Sequence, residues 1–217
     1  MKQSVKFVHK IYWVFPAVGF FMAAVSYPFL PEKIVTHWDF SGTPDQTIHK
    51  AFLFVIPLVL AFCVFVFTWL PAHSKQKNAQ QSGRETTVLH VVFFLILLLA
   101  ETITIAYALG FGRNVKLMFC LAIGTVFVIL GNFVPKFQQN RWVGFRNSQT
   151  MKNKTVWYRT QRLAGKVMMA SGACMLAAGL TPMVWSVVLL AVSVGAIVVI
   201  PLIYSLVIAK RHGSDAN

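Results

Sequence analysis

Long runs of almost uncharged apolar residues, each bounded by charge, proline or glycine, take up most of this chain, and they leave it very few folds to adopt. A helix needs about 20 such residues to cross the hydrocarbon core of a bilayer. Six stretches fit: 11–30, 51–70, 88–110, 117–134, 167–180 and 184–209. The fifth is short by itself and is parted from the sixth only by Thr181, Pro182 and Met183. It reaches full length only if it starts near Leu163, so five crossings stay open beside six. Closed barrels are the other spanning solution, but the runs lack the apolar/polar alternation that barrel strands need. Charged residues make up 12% of the chain, against roughly 25% in soluble domains, which excludes a water-soluble fold. The expectation is an all-α polytopic membrane bundle of six transmembrane helices.

The first run carries Trp13, Phe20 and Phe21 and ends in Tyr27-Pro28-Phe29-Leu30 without a small-x-small cleavage site. It therefore reads as a spanning helix rather than a removable leader. Orientation follows from Lys and Arg, which accumulate in cytoplasmic loops. With the N-terminus inside, sixteen of the 20 basic residues fall on the cytoplasmic side, leaving Lys33, Lys50, Arg113 and Lys116 outside. Both termini are thus expected in the cytoplasm. The net charge of +14 follows from this asymmetry and from attraction to anionic lipid headgroups, so no direct nucleic-acid partner is implied. Cys63, Cys120 and Cys174 all lie in apolar runs without metal-ligand spacing and read as small packing residues.

These spans divide into an N-terminal two-helix module (1–71) with an outer loop at 31–50, a polar connector (72–87), and a C-terminal four-helix module (88–217) with a basic inner loop at 135–166. In the outer loop, Asp39-Phe40-Ser41-Gly42-Thr43-Pro44-Asp45 combines glycine, which accepts positive φ, with proline, which fixes it, and predicts a compact turn. Trp38 and Phe40 flank that turn at a height where aromatic residues favour the headgroup region. His37, Asp39, Asp45 and His49 are residue types that bind zinc, but they have no recurring ligand spacing, and the loop is read as a structural or recognition element rather than a metal site. The inner loop carries eight basic residues and no acid. Its Val156, Trp157, Thr160, Leu163, Ala164 and Val167 recur at helical spacing, with Arg159, Arg162 and Lys166 available to phosphate headgroups. That pattern predicts an interfacial amphipathic helix leading into the fifth crossing.

Of the chain's 6 acidic residues, only Glu101 lies inside an apolar run. An ionisable group there costs on the order of 2.5 to 3.5 kcal/mol on insertion scales and usually faces protein or water. Helical spacing puts His90 and Thr104 on the same face, giving a polar stripe turned toward the bundle. Glu101 is therefore either a hydrogen-bonded structural acid or a ligand or proton site. Pro16, Pro57 and Pro201 interrupt three helices, and Ala170, Ala173 and Ala177 read as a small-residue packing face. No phosphate loop, HExxH, GxSxG or carboxylate pair is present, and neither an enzyme nor a cofactor is expected.

Two segments carry a family resemblance. LPEKIVTHWDFSGTPDQTIHK, directly after the first span, resembles a small membrane domain of unknown function. GNFVPKFQQNRWVGFRNSQTMKNKTVWYRTQRLAGK resembles the signature of the SdpI family of bacterial immunity proteins, through Gly131, Asn132, Pro135, Asn140, Gly144, Arg146, Val156, Trp157, Thr160, Arg162 and Gly165. The chain departs from that signature at Asn147-Ser148-Gln149-Thr150, where the family favours Thr-Pro-Trp-Thr, and at Gln161, where it often has His. The resemblance implies a cytoplasmic-membrane protein that protects a bacterium from a secreted, membrane-active peptide toxin. It also implies a signalling role through a transcriptional repressor held at the membrane. On this reading the toxin meets His37, Trp38, Asp39, Phe40, Asp45 and Glu101, while a cytoplasmic partner docks on the inner motif and Arg159. The alternative drawn from the residues is a small proton-coupled transporter or permease that uses Glu101.

Overall fold

The computed structural model describes residues 10–39, 42–73, 84–111, 114–140 and 143–214. Phe40 lies outside them, as does most of the 72–87 connector. Among the described residues there are seven α-helices: α1 (Val14–Ser26), α2 (Val55–His73), α3 (Arg84–Ala108), α4 (Val115–Phe133), α5 (Ser148–Lys152), α6 (Lys154–Ala178) and α7 (Met183–Ser214). Five segments are long and apolar enough to cross a membrane: Lys10–Phe29, Lys50–Trp69, Thr86–Ala108, Val115–Lys136 and Met183–Arg211. The protein is a polytopic helical membrane protein. The stretch at 167–180 is not among those five. It forms the apolar end of α6, one unbroken helix whose first half carries Lys154, Arg159, Arg162 and Lys166. Interfacial helix and fifth apolar run are thus one element.

The outer loop adds a β-hairpin that the all-helical expectation lacked. Strands β1 (Lys33–Trp38) and β2 (Pro44–His49) pair antiparallel, with Ile34 opposite Ile48 and Trp38 opposite Pro44, and the register shifts between Val35 and Trp38. The turn forms where Gly42 predicts it. Gly42 takes φ +82°, its N–H donates to Asp39 O (3.0 Å), and Thr43 N–H donates to Asp39 Oδ1 (2.8 Å). A lone two-stranded hairpin is marginal in water. This one is held because Ile34, 2% exposed, enters a core with Ala23, Leu30, Leu53 and Ile105.

Packing divides the chain into two compact units, 1–118 and 119–217. The break differs from the sequence boundary at the connector because α3 packs with the N-terminal helices. Phe94 is fully buried with Tyr12, Leu60 and Val64, and Val91, Leu97 and Leu98 lie against them. Tyr12 and Phe94 meet edge-on with centroids 5.4 Å apart. Ring packing of this kind contributes beyond area burial.

The C-terminal unit is held differently. A Cβ added to Gly131 would lie 2.7 Å from Gly165 O, and one added to Gly172 would lie 2.8 Å from Gly124 O. Two glycine pairs therefore bring the backbones of α4 and α6 into direct contact, the way small residues serve helices in lipid. The small-residue face expected at Ala170, Ala173 and Ala177 is not the one used, since all three are exposed. Glycine wins because only the absence of a side chain allows carbonyl contact at that distance.

Candidate functional site

In the C-terminal unit, most of the family motif serves to fold one surface loop onto α6. Asn153 accepts from Thr155 N and Val156 N and starts that helix. Trp157, fully buried, donates from Nε1 to Phe137 O (3.0 Å). One turn on, Gln161, 0% exposed, binds Phe145 twice: its Nε2 donates to Phe145 O (3.0 Å) and its Oε1 accepts from Phe145 N (3.1 Å). An amide presents donor and acceptor side by side, which this two-way contact requires. Gly144 sits between them at φ +109°, and a Cβ there would be 3.0 Å from both Gln161 Oε1 and the Trp157 ring. Positive φ and close approach together demand glycine.

The second departure from the family signature also has a local logic. Asn147 caps α5, accepting from Gln149 N (3.1 Å) and Thr150 N (2.9 Å), and Thr150 Oγ1 accepts from Asn147 N (2.9 Å). This is a reciprocal capping box built on Asn-x-x-Thr. Asn147 Nδ2 also donates to Ser205 Oγ on α7, which ties the loop to a second helix. Asn140 closes the preceding turn, accepting from Val143 N (2.7 Å) and donating to Gln138 O (2.8 Å). Pro135 packs on Gly165, where a Cβ would meet its ring at 2.4 Å. Of the inner-motif residues, Asn132, Arg146 and Arg162 remain exposed, as does Arg159. Arg159 and Arg162 line an open cleft of about 250 Å³ with Leu163, Lys166 and Tyr204. Sequence reasoning passed over Gln161, Asn147 and Thr150 as building elements, and it missed Tyr204. The Asn-x-x-Thr spacing was the available signal for the cap.

In the N-terminal unit, the hairpin presents His37 and Asp45 as an exposed pair, Nδ1 to Oδ1 2.6 Å. Asp39 holds the turn, and His49 Nδ1 accepts from Ala51 N (3.2 Å) at the start of the next helical turn. The four potential metal ligands thus have separate tasks, and no group of three His, Cys, Asp or Glu close enough to hold an ion exists among the described residues. Trp38 does not stand free at the tip: its ring meets Tyr107 edge-on at 5.2 Å.

Glu101 lies at the meeting point of α1, α2 and α3. It is 0% exposed, and among the described residues neither carboxyl oxygen has a hydrogen-bond partner. Gly19 makes room for it: a Cβ there would lie 2.9 Å from Glu101 Oε2 and 3.1 Å from Pro57 Cβ. The expected polar stripe does not form around it. His90 stacks flat on Phe67 at 4.1 Å with Tyr12 at its edge, while Thr104 donates to Ala100 O within its own helix. Threonine in an apolar helix satisfies its hydroxyl locally when no acceptor comes closer. A buried acid without partners costs stability, and such a group marks a functional site more often than a packing residue does.

Five helices apolar and long enough to span, with one carboxyl buried among them, define the class, a multi-pass helical membrane protein. Comparison with known proteins adds what each region is similar to. Residues 136–205 match the SdpI/YfhL protein family and residues 14–61 match a domain of unknown function, DUF1648. Immunity protein SdpI of Bacillus subtilis (strain 168) is 28% identical over 156 residues, which are 71% of this chain and 73% of that protein. Uncharacterized membrane protein YbgB of the same organism is 33% identical over 61 residues, 28% of this chain and 63% of YbgB, less than two thirds of its length. No solved structure matches. The chain carries an SdpI-family region at 136–205 and the DUF1648 region near its N-terminal end, as its two motifs implied. Glu101 falls in neither region.

Proposed function

We propose that this chain is an immunity protein of the bacterial cytoplasmic membrane that protects its cell from a secreted, membrane-active peptide toxin. The observation that carries the reading is the 28% identity over 71% of the chain to a protein named for immunity. With the N-terminus in the cytoplasm, as the Lys and Arg distribution predicts, the hairpin that follows the first span faces outward and offers His37, Asp39 and Asp45 as exposed polar contacts. Trp38, half-buried against Tyr107, borders them. No catalytic step is assigned. The test is expression in a toxin-sensitive bacterium challenged with a panel of membrane-active peptides. Survival above the vector control supports the reading, and unchanged killing by every peptide overturns it.

A signalling function rests on the inner face, where Asn132 and Arg146 are exposed beside the folded loop and could dock a cytoplasmic repressor. Replacing Arg146, Arg159 and Arg162 by Gln should then abolish membrane recruitment of the repressor, and undiminished recruitment would refute it. One observation favours a transport reading: Glu101 is buried with both oxygens unpartnered among the described residues. Proton-coupled flux in proteoliposomes that disappears in Glu101→Gln would establish that alternative, and the absence of flux in the parent protein removes it.

A further inference from the structure

We propose that Arg159, Arg162, Lys166 and Tyr204 form a discrete site for a phosphate group, filled in the cell by the headgroup of an anionic phospholipid. The inference is independent of the toxin reading and concerns only the C-terminal unit. Residues 159, 162 and 166 follow one another at three- and four-residue steps, so their side chains share one face of α6. The opposite face of the same helix is closed: Trp157, Thr160, Gln161, Ala164, Gly165 and Met168 are buried. The three cations are pushed out against Tyr204 of α7, with Leu163 between them, around the open cleft of about 250 Å³.

What makes this a site rather than a solvated stripe is the missing counter-charge. Five of the six acids of the chain, Glu32, Asp39, Asp45, Glu85 and Glu101, precede residue 119, and the sixth, Asp215, lies outside the described residues. Residues 119–214 therefore contain no carboxylate. Among the described residues the charged heads of Arg159, Arg162 and Lys166 make no ion pair and no hydrogen bond to the protein. Like charges three and four residues apart on a helix repel. An anion taken from outside is what offsets that repulsion.

The donor set selects phosphate. Two guanidinium forks, an ammonium and a phenol approach from two helices, which suits the several oxygens of a tetrahedral anion better than a planar carboxylate. The position selects a lipid as its source. Lys166 is the last charge on α6 before an uncharged stretch to Ala178, and Tyr204 stands six residues before Lys210, which ends the apolar part of α7. Both helices thus pass from charged to apolar at the cleft, the level at which headgroups lie and tyrosine is enriched. An acyl chain leaving a bound headgroup would meet the exposed aliphatic residues of α7, such as Leu202, Ile203 and Val207.

The test is native mass spectrometry of the full-length protein in neutral detergent, titrated with phosphatidylglycerol, phosphatidylcholine and inorganic phosphate. One phosphatidylglycerol should bind at least about tenfold more tightly than phosphatidylcholine, and the triple variant R159Q/R162Q/K166Q should lose that preference. A control that removes three exposed charges elsewhere, K136Q/K152Q/K154Q, should keep it. Y204F, with its shape unchanged, should weaken binding by roughly threefold, as expected for one lost hydrogen bond. If the triple variant fails to elute as a folded protein, Y204F and R162Q alone decide the matter. Competition by millimolar inorganic phosphate supports a site that reads the phosphate itself. Binding of inorganic phosphate without preference for phosphatidylglycerol overturns the lipid assignment, and an equal loss in the control variant overturns the site.

Discussion

The two units of this protein solve one problem by different means. In the N-terminal unit, helices are joined by large rings and aliphatic side chains around Tyr12, Phe94, Leu53 and Ile34, and a carboxyl is left in the middle without a partner. In the C-terminal unit, helices are joined by backbone contact at glycine pairs, and a polar loop is fastened by the Gln161 amide, which binds Phe145 in both directions. The N-terminal unit holds the acids and the C-terminal unit only cations, Asp215 apart. The difference shows where each keeps unspent chemistry: a buried acid in one, an uncompensated cationic cleft in the other.

Substitutions can break this contrast, and the largest effect is expected at the glycine pairs. Gly165→Leu drives a side chain into Pro135 and the Gly131 carbonyl, so the protein should fail to yield a monodisperse peak in detergent, whereas Gly195→Ala, with open space around it, should behave as wild type. A normal yield of Gly165→Leu would end the claim of backbone contact. Next, Trp157→Ala should cost about 3 to 5 kcal/mol in a denaturation titration, the usual range for a fully buried aromatic. Gln161→Leu keeps the volume but orphans both backbone groups of Phe145, at about 1 to 3 kcal/mol. A milder loss would mean water replaces the amide.

In the N-terminal unit the sign should reverse. Glu101→Leu removes two unpartnered oxygens and should raise stability by about 1 to 2 kcal/mol while reducing toxin protection, the pattern of a functional residue kept at a structural cost. Destabilisation would instead show that the carboxyl has a partner that matters to the fold. Smallest of all, Asp45→Asn should change stability by less than about 1 kcal/mol, because its pair with His37 is exposed. If protection falls all the same, the hairpin is a contact surface.

Much of this was legible in the sequence, for reasons that can be named. Apolar length gave five of the spans, the Gly42 turn followed from its φ requirement, and the periodicity of Val156 to Val167 gave the first half of α6. The hairpin was not legible, because the sequence of β2, PDQTIH, is polar and strand-like only once Ile48 pairs with Ile34. Nor was the packing face of α6: alanine and glycine are both small, and nothing in a run of apolar residues says which side meets a neighbour. Spacing placed His90 and Thr104 on the face of Glu101 correctly for a helix, but contact depends on reach: Thr104 donates within its own helix and the His90 ring stacks on Phe67. The role of Gln161 lay in its contact with Phe145, sixteen residues away, which no local pattern reveals.

The two glycine pairs have one more consequence. Gly124 and Gly131 meet Gly172 and Gly165 in reverse order, with seven residues, about 10 Å of helix, between the contacts on each side. A single such contact is a pivot, about which two rods can scissor. Two contacts so spaced act as a pair of bolts: sliding either helix by one residue, or rotating it, drives side chains into a carbonyl at both points at once. The helices α4 and α6 are thereby held in register, and the folded loop and cationic face of α6 rest on that frame.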